Sequence, residues 1–121
     1  MTAEPQEWYE TERLADQVTQ PLQALELAQE ARLEAARLRA SIRAGGRTGG
    51  AERAARAVLA GTSPMPFYRL LRAVPRVGKT RADRMCAIAR INPQARVDAK
   101  LVDARRRELL AGELYVHGSP R

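Results

Sequence analysis

Between Ala73 and Arg81 the chain reads Ala-Val-Pro-Arg-Val-Gly-Lys-Thr-Arg, and the residues able to do chemistry concentrate there. Gly78-Lys79-Thr80 is the spacing with which a nucleotide-binding phosphate loop ends, and residues 73–80 fit a relaxed form of it with Ala73 replacing the first glycine. Such a loop needs a strand before it, slim residues within it, and a later strand ending in a magnesium-holding Asp. Here the preceding segment has a helical pattern, Pro75 and Val77 fill the loop, and no such strand follows. Nucleotide binding is set aside. A second chemistry survives. A glycine turn opening into a basic helix leaves backbone N–H groups free at the helix N-terminus, where the dipole favours an anion. Gly78 lets a phosphate approach without a side chain in its way, and Arg76, Lys79, Thr80 and Arg81 supply charge and hydrogen bonds. The expected grip is the amides of Val77, Gly78 and Lys79 with the Lys79 and Arg81 side chains.

Further candidates are weighed against plainer roles. Arg96 lies in the turns that follow. Arg105-Arg106-Arg107 fans around a helix axis, so at most two of these face one ligand, and Arg105 and Arg106 join the candidate set. Arg47, within a glycine-rich run, either enters a groove or keeps a loop hydrated. Cys86 reads as a small core residue. His117 sits in a segment expected to fray and has no evident partner there, so it is not read as a base. No catalytic residue, metal ligand set or cofactor site emerges, and the chain is not expected to be an enzyme.

Charge supports a polyanion partner. The 121 residues carry a formal net charge of +7, unevenly placed: net −4 over residues 1–21, +3 over 22–60 and +8 over 61–121. Most of the bases are Arg, which suits bidentate phosphate recognition. A single cysteine excludes an internal disulfide and a cysteine-cluster zinc site, and the lone His removes His-rich metal sites. No apolar run approaches the roughly 18 residues of a membrane span, and Met1–Arg13 is acidic, unlike a signal peptide. A cytoplasmic setting is expected.

These side chains must be carried by helices. Aromatics are only 4% and alanine is abundant, a composition for close-packed helices rather than a sheet core. Residues 1–20 read as an acidic, poorly ordered arm, with Trp8 and Tyr9 among four glutamates. Residues 21–44 form a long helix opened by Pro21, with Leu25, Ala28, Ala31, Ala35, Leu38 and Ile42 on one stripe. Residues 45–50 read as a Gly-rich hinge. Residues 51–114 hold the remaining helices, at 51–60, 67–74, about 80–91 and, from an Asp98 cap, 98–111. A tail follows at 115–121.

On these residues the chain resembles two families. Pro75-Arg-Val-Gly78-Lys79-Thr-Arg81-Ala82, then Ile88, Ile91-Asn-Pro93-Gln-Ala-Arg96-Val97, resembles the helix–two-turns–helix of a bacterial small-subunit ribosomal protein that binds ribosomal RNA. That likeness spans about residues 70–114. Leu22–Ala44, the glycine break, Ala51–Ala60 and Leu70-Leu71-Arg-Ala-Val74-Pro75-Arg-Val77-Gly78-Lys79 together are similar to the actinobacterial integration host factor, over about residues 22–114. The connection from Gly61 to Phe67 is shorter than in that family, its glycine break is less rich in glycine, and the acidic arm has no counterpart there.

The second resemblance implies an all-α fold, a long N-terminal helix plus a compact helical domain with a helix–two-turns–helix motif. It implies low-specificity double-stranded DNA binding that bends or compacts the nucleoid, assistance to site-specific recombination, and recombinase or integrase complexes as further partners. The alternative is an RNA-binding or ribosome-associated protein using the same corner; a protein–protein adaptor working through Leu25–Ile42 would leave the basic half without a use. A DNA glycosylase with the two-turn motif would need an N-terminal proline nucleophile or a zinc finger, and neither is present.

Overall fold

The computed structural model describes residues 4–120, with side chains from residue 21 onward. Every regular element among these residues is an α-helix, and the fold is all-α. Residues 1–33 and 34–121 form two separate units.

Helix α1 runs Glu4–Ala44. Residues 4–20, expected to be a poorly ordered arm, are therefore helical. A composition rich in Gln, Glu, Ala and Leu carries the helix past Pro21 against its cost of about 3 kcal/mol. The reading of Trp8 and Tyr9 lies outside the described side chains.

In the second unit, α1 ends at a tight elbow rather than a hinge. Helix α2 spans Gly46–Ala60, so Arg47 to Gly50 lie within a helix. The glycines there serve close packing. Gly46 has φ +69°, which glycine adopts without strain. A methyl on Gly45 would stand 2.7 Å from the Gly49 carbonyl carbon and the Gly50 nitrogen, and one on Gly50 would collide with the Ile42 carbonyl.

Helix α3 spans Phe67–Ala73, α4 Lys79–Ala89 and α5 Ala104–Gly118. Consecutive turns join α4 to α5, closed by the amides of Ala95, Ala99 and Val102 on the carbonyls of Asn92, Arg96 and Ala99. The last helix begins five residues later than the Asp98 cap predicts, at Ala104 behind Asp103. Asp103 caps it, its Oδ1 accepting the Arg106 amide at 2.9 Å, whereas the Asp98 carboxylate is taken by Arg96. Gly112 does not stop the helix, which continues to Gly118 because its end is docked. Arg47 Nε donates to the His117 carbonyl at 2.7 Å and Thr48 Oγ1 to the Gly118 carbonyl at 2.7 Å. These bonds satisfy carbonyls that a helix C-terminus otherwise leaves orphaned. A methyl on Gly118 would stand 2.7 Å from Ala51 Cβ, so the two helices touch almost backbone to backbone.

The core collects Ile42 from α1, Val58 from α2, Phe67, Leu70 and Leu71 from α3, and Leu110 and Leu114 from α5, all fully buried. Each side chain of this size contributes about 1.5–3 kcal/mol on burial. That core holds the ends of α3 and α4 in place, and the basic corner lies between them.

Candidate nucleic-acid interface

The corner begins where α3 runs out. Pro75 lacks an amide, and Arg76 is left-handed at φ +69°. The Val77 amide donates to the Val74 carbonyl at 3.1 Å, and the Val77 side chain is buried. Val77, expected to offer a free amide, instead anchors the turn. Gly78 is the N-cap of α4 in extended conformation, φ −87°, so no left-handed geometry requires glycine there. What its missing Cβ provides is open space, with nothing within 4 Å of where a methyl would stand. The Gly78 carbonyl accepts the Ala82 amide at 2.9 Å and starts the helix. Among the described residues the amides of Gly78, Lys79, Thr80 and Arg81 have no backbone partner, and no side chain caps the helix.

These four residues are exposed, as are Arg76 and Arg84. The ion pairs found among the described residues are Arg56–Glu52 and Arg96–Asp98, so no carboxylate neutralises Arg76, Lys79, Arg81 or Arg84. Below the corner a cleft of about 190 Å³ is bordered by Arg47, Arg81, Arg84, Glu113 and His117. His117 is only 5% exposed. Its Nδ1 lies 2.8 Å from an Arg81 guanidinium nitrogen and its Nε2 3.0 Å from the Pro75 carbonyl oxygen. His117 was expected in a fraying segment without a partner; instead it is buried with two partners. No signal within residues 115–121 points to it, because its partners lie 36 and 42 positions away.

The other candidates separate. Arg47 is half-buried and holds the end of α5 through Nε, so it is a structural clamp that also borders the cleft. Arg96 forms a bidentate pair with Asp98, at 2.9 and 2.8 Å, and is engaged rather than free for a phosphate. Arg105 and Arg106 are exposed near Arg90, bordering another cleft between α4 and α5. The third member of that run, Arg107, turns inward and donates to the carbonyls of Val58, Val97, Ala99 and Val102.

One basic surface went unforeseen. Arg39 and Arg43, one turn apart on α1, and Arg69 and Arg72 on α3 border a common groove with Tyr68. Arg72 is held over the Tyr68 ring at 5.5 Å and donates to its hydroxyl at 2.6 Å. The i,i+4 and i,i+3 spacings were visible in the sequence, but that the two helices bring them together was not.

Cys86 is fully buried, and burial, with a smaller contribution from the Asp83 carboxylate, pushes its thiol up from 9.0 to about 11. It is an inert core group at neutral pH. Among the described residues no helix is long and apolar enough to cross a membrane. No protein-family model, curated protein or solved structure matches the chain.

Proposed function

We propose that this protein binds double-stranded DNA through its phosphate backbone with little regard to sequence. The observation that carries the reading is the row of unpartnered amides from Gly78 to Arg81, open to solvent and flanked by Lys79, Arg81 and Arg84, none paired with a carboxylate. Backbone amides at a helix start, an unobstructed glycine and adjacent cations suit one phosphate, while the excess positive charge attracts the rest of the strand. In this reading phosphate contacts, not base-edge contacts, dominate the interface.

The turns between α4 and α5 act in this reading as a helix–two-turns–helix, as the likeness to actinobacterial integration host factor implies. The biological role is then to bend or compact nucleoid DNA and to assist recombination. The Arg39–Arg43–Arg69–Arg72 groove supports it by supplying a basic surface made of other residues, which bending or bridging calls for.

The test is fluorescence anisotropy with two unrelated duplexes across a salt series. With about five phosphates neutralised, log K falls against log salt with a slope near −4.5, a loss of several hundred-fold between about 50 and 200 mM. A slope shallower than about −2, or preference for one sequence by about a thousand-fold, rules the reading out. Competition by duplex RNA as strong as by duplex DNA would move the assignment to RNA.

A further inference from the structure

Among the described residues His117 is the one buried polar side chain, and each ring nitrogen faces a group of fixed hydrogen-bonding sense. A guanidinium can only donate, so Nδ1, 2.8 Å from Arg81, is the acceptor. A backbone carbonyl can only accept, so Nε2, 3.0 Å from the Pro75 oxygen, carries the proton. The two partners select one tautomer of the neutral imidazole.

We infer that His117 is a positioning residue for the phosphate grip: Nδ1 orients Arg81, while the Nε2 bond to the Pro75 carbonyl fixes the ring and its tautomer. This rests on the DNA-binding reading and extends it to a residue that itself touches no DNA. The ring is a firm base for that task. Its backbone carbonyl is held by Arg47 and the next one by Thr48, so the end of α5 is fastened to the start of α2. From there the ring reaches the residue before Arg76, whose left-handed φ of +69° makes the bend that presents Gly78. The contact occupies Nη1 of Arg81 and leaves its Nε and Nη2, the edge that grips a phosphate side-on. An unrestrained arginine loses rotamer freedom when it meets a phosphate; Arg81 has already lost much of it on folding.

Substitution isolates the Arg81 contact. In His117→Asn the amide oxygen hangs from Cγ as Nδ1 does and keeps an acceptor for Arg81. In His117→Gln the amide nitrogen falls near the Nε2 position and keeps a donor for Pro75, while Arg81 loses its partner. Duplex affinity of His117→Asn stays within about twofold of the parent, and that of His117→Gln falls about fivefold, the worth of one net hydrogen bond. On an Arg81→Ala background His117→Gln has no further effect, since the contact it removes is already gone. Folded His117→Gln protein that binds as tightly as the parent, or losses that multiply in the double variant, overturns the inference. Should the variants not fold, long-range 1H–15N spectra of the parent decide: the inference requires a bare Nδ1 and a protonated Nε2, and the opposite tautomer overturns it. A parent protein that binds no duplex at all overturns the DNA-binding reading and this role with it. A parent that binds, with His117→Gln unaffected, overturns this role alone.

Discussion

The Arg107 guanidinium stands 5.9 Å from the centroid of the Phe67 ring, a cation held over a fully buried aromatic. Its nitrogens reach carbonyls in three segments: Val58 at the end of α2, Val97 and Ala99 in the turns after α4, and Val102 just before α5.

 The neighbouring Gly61 makes room, since a methyl there would stand 3.0 Å from an Arg107 nitrogen. One arginine from a basic run thus ties together the segments surrounding the core.

Arg107→Ala strips charged donors from several carbonyls at once, and hydrogen bonds from a charged group are worth about 1.5–3 kcal/mol each. The melting midpoint falls by more than about 10 °C. Arg105→Ala and Arg106→Ala, both exposed, change stability by less than about 0.5 kcal/mol. Thermal melts of the three variants, followed by circular dichroism, check this; equal effects would show that Arg107 is no clamp.

Two glycines respond in opposite ways. Gly50→Ala drives a methyl into the Ile42 carbonyl at the α1–α2 elbow and costs about 1–3 kcal/mol. Gly78→Ala costs little, because φ is −87° and the space is open. Gly78→Glu also folds, yet puts bulk and negative charge where a phosphate must sit, and duplex binding is nearly abolished. Denaturant melts give the first comparison and anisotropy the second. Folded Gly78→Glu protein that binds within about threefold of the parent would make the corner structural only.

Lys79→Ala removes one unpaired cation from the corner. The salt slope becomes shallower by about one unit, and all duplexes weaken alike by ~1 kcal/mol. Arg96→Ala leaves the slope unchanged, since its guanidinium is already committed to Asp98. Salt titrations of both variants on one duplex make the comparison.

Cys86 links stability to alkaline pH. The unfolded thiol loses its proton near 9, whereas burial, with Asp83 adding to it, keeps the folded thiol protonated up to about 11. The folded state therefore binds the extra proton between these values. The stability this supplies is complete below pH 9 and is lost as pH rises toward 11. Denaturant unfolding of the parent and of Cys86→Ala from pH 7 to about 10.5 isolates the effect as the difference between the two slopes. Parallel slopes would show a thiol open to water.

Helical character, the segments at 51–60, 67–74 and 80–91, and the basic corner at Gly78-Lys79 were all readable along the chain. Helical periodicity and glycine or proline punctuation act over a few residues, so they leave local marks. Ile42, the last position of the α1 stripe, followed from the same periodicity and is fully buried. Residues 4–20, expected to belong to an arm, lie in α1: a high charge density offers no core face, yet it does not stop good helix formers from continuing a helix. The roles of Arg47, Arg107 and His117 required the folded chain. Arg47 and His117 meet across 70 positions, Arg107 and Val58 across 49, and Arg81 and His117 across 36. An arginine bound to a buried carbonyl and one awaiting a phosphate have the same sequence; what faces each is set by packing of distant helices. The glycines of residues 45–50 follow the same logic. Flexibility and close packing both call for a missing Cβ, and only the nearness of Ile42 and Pro75 to Gly50 makes this run a rigid elbow.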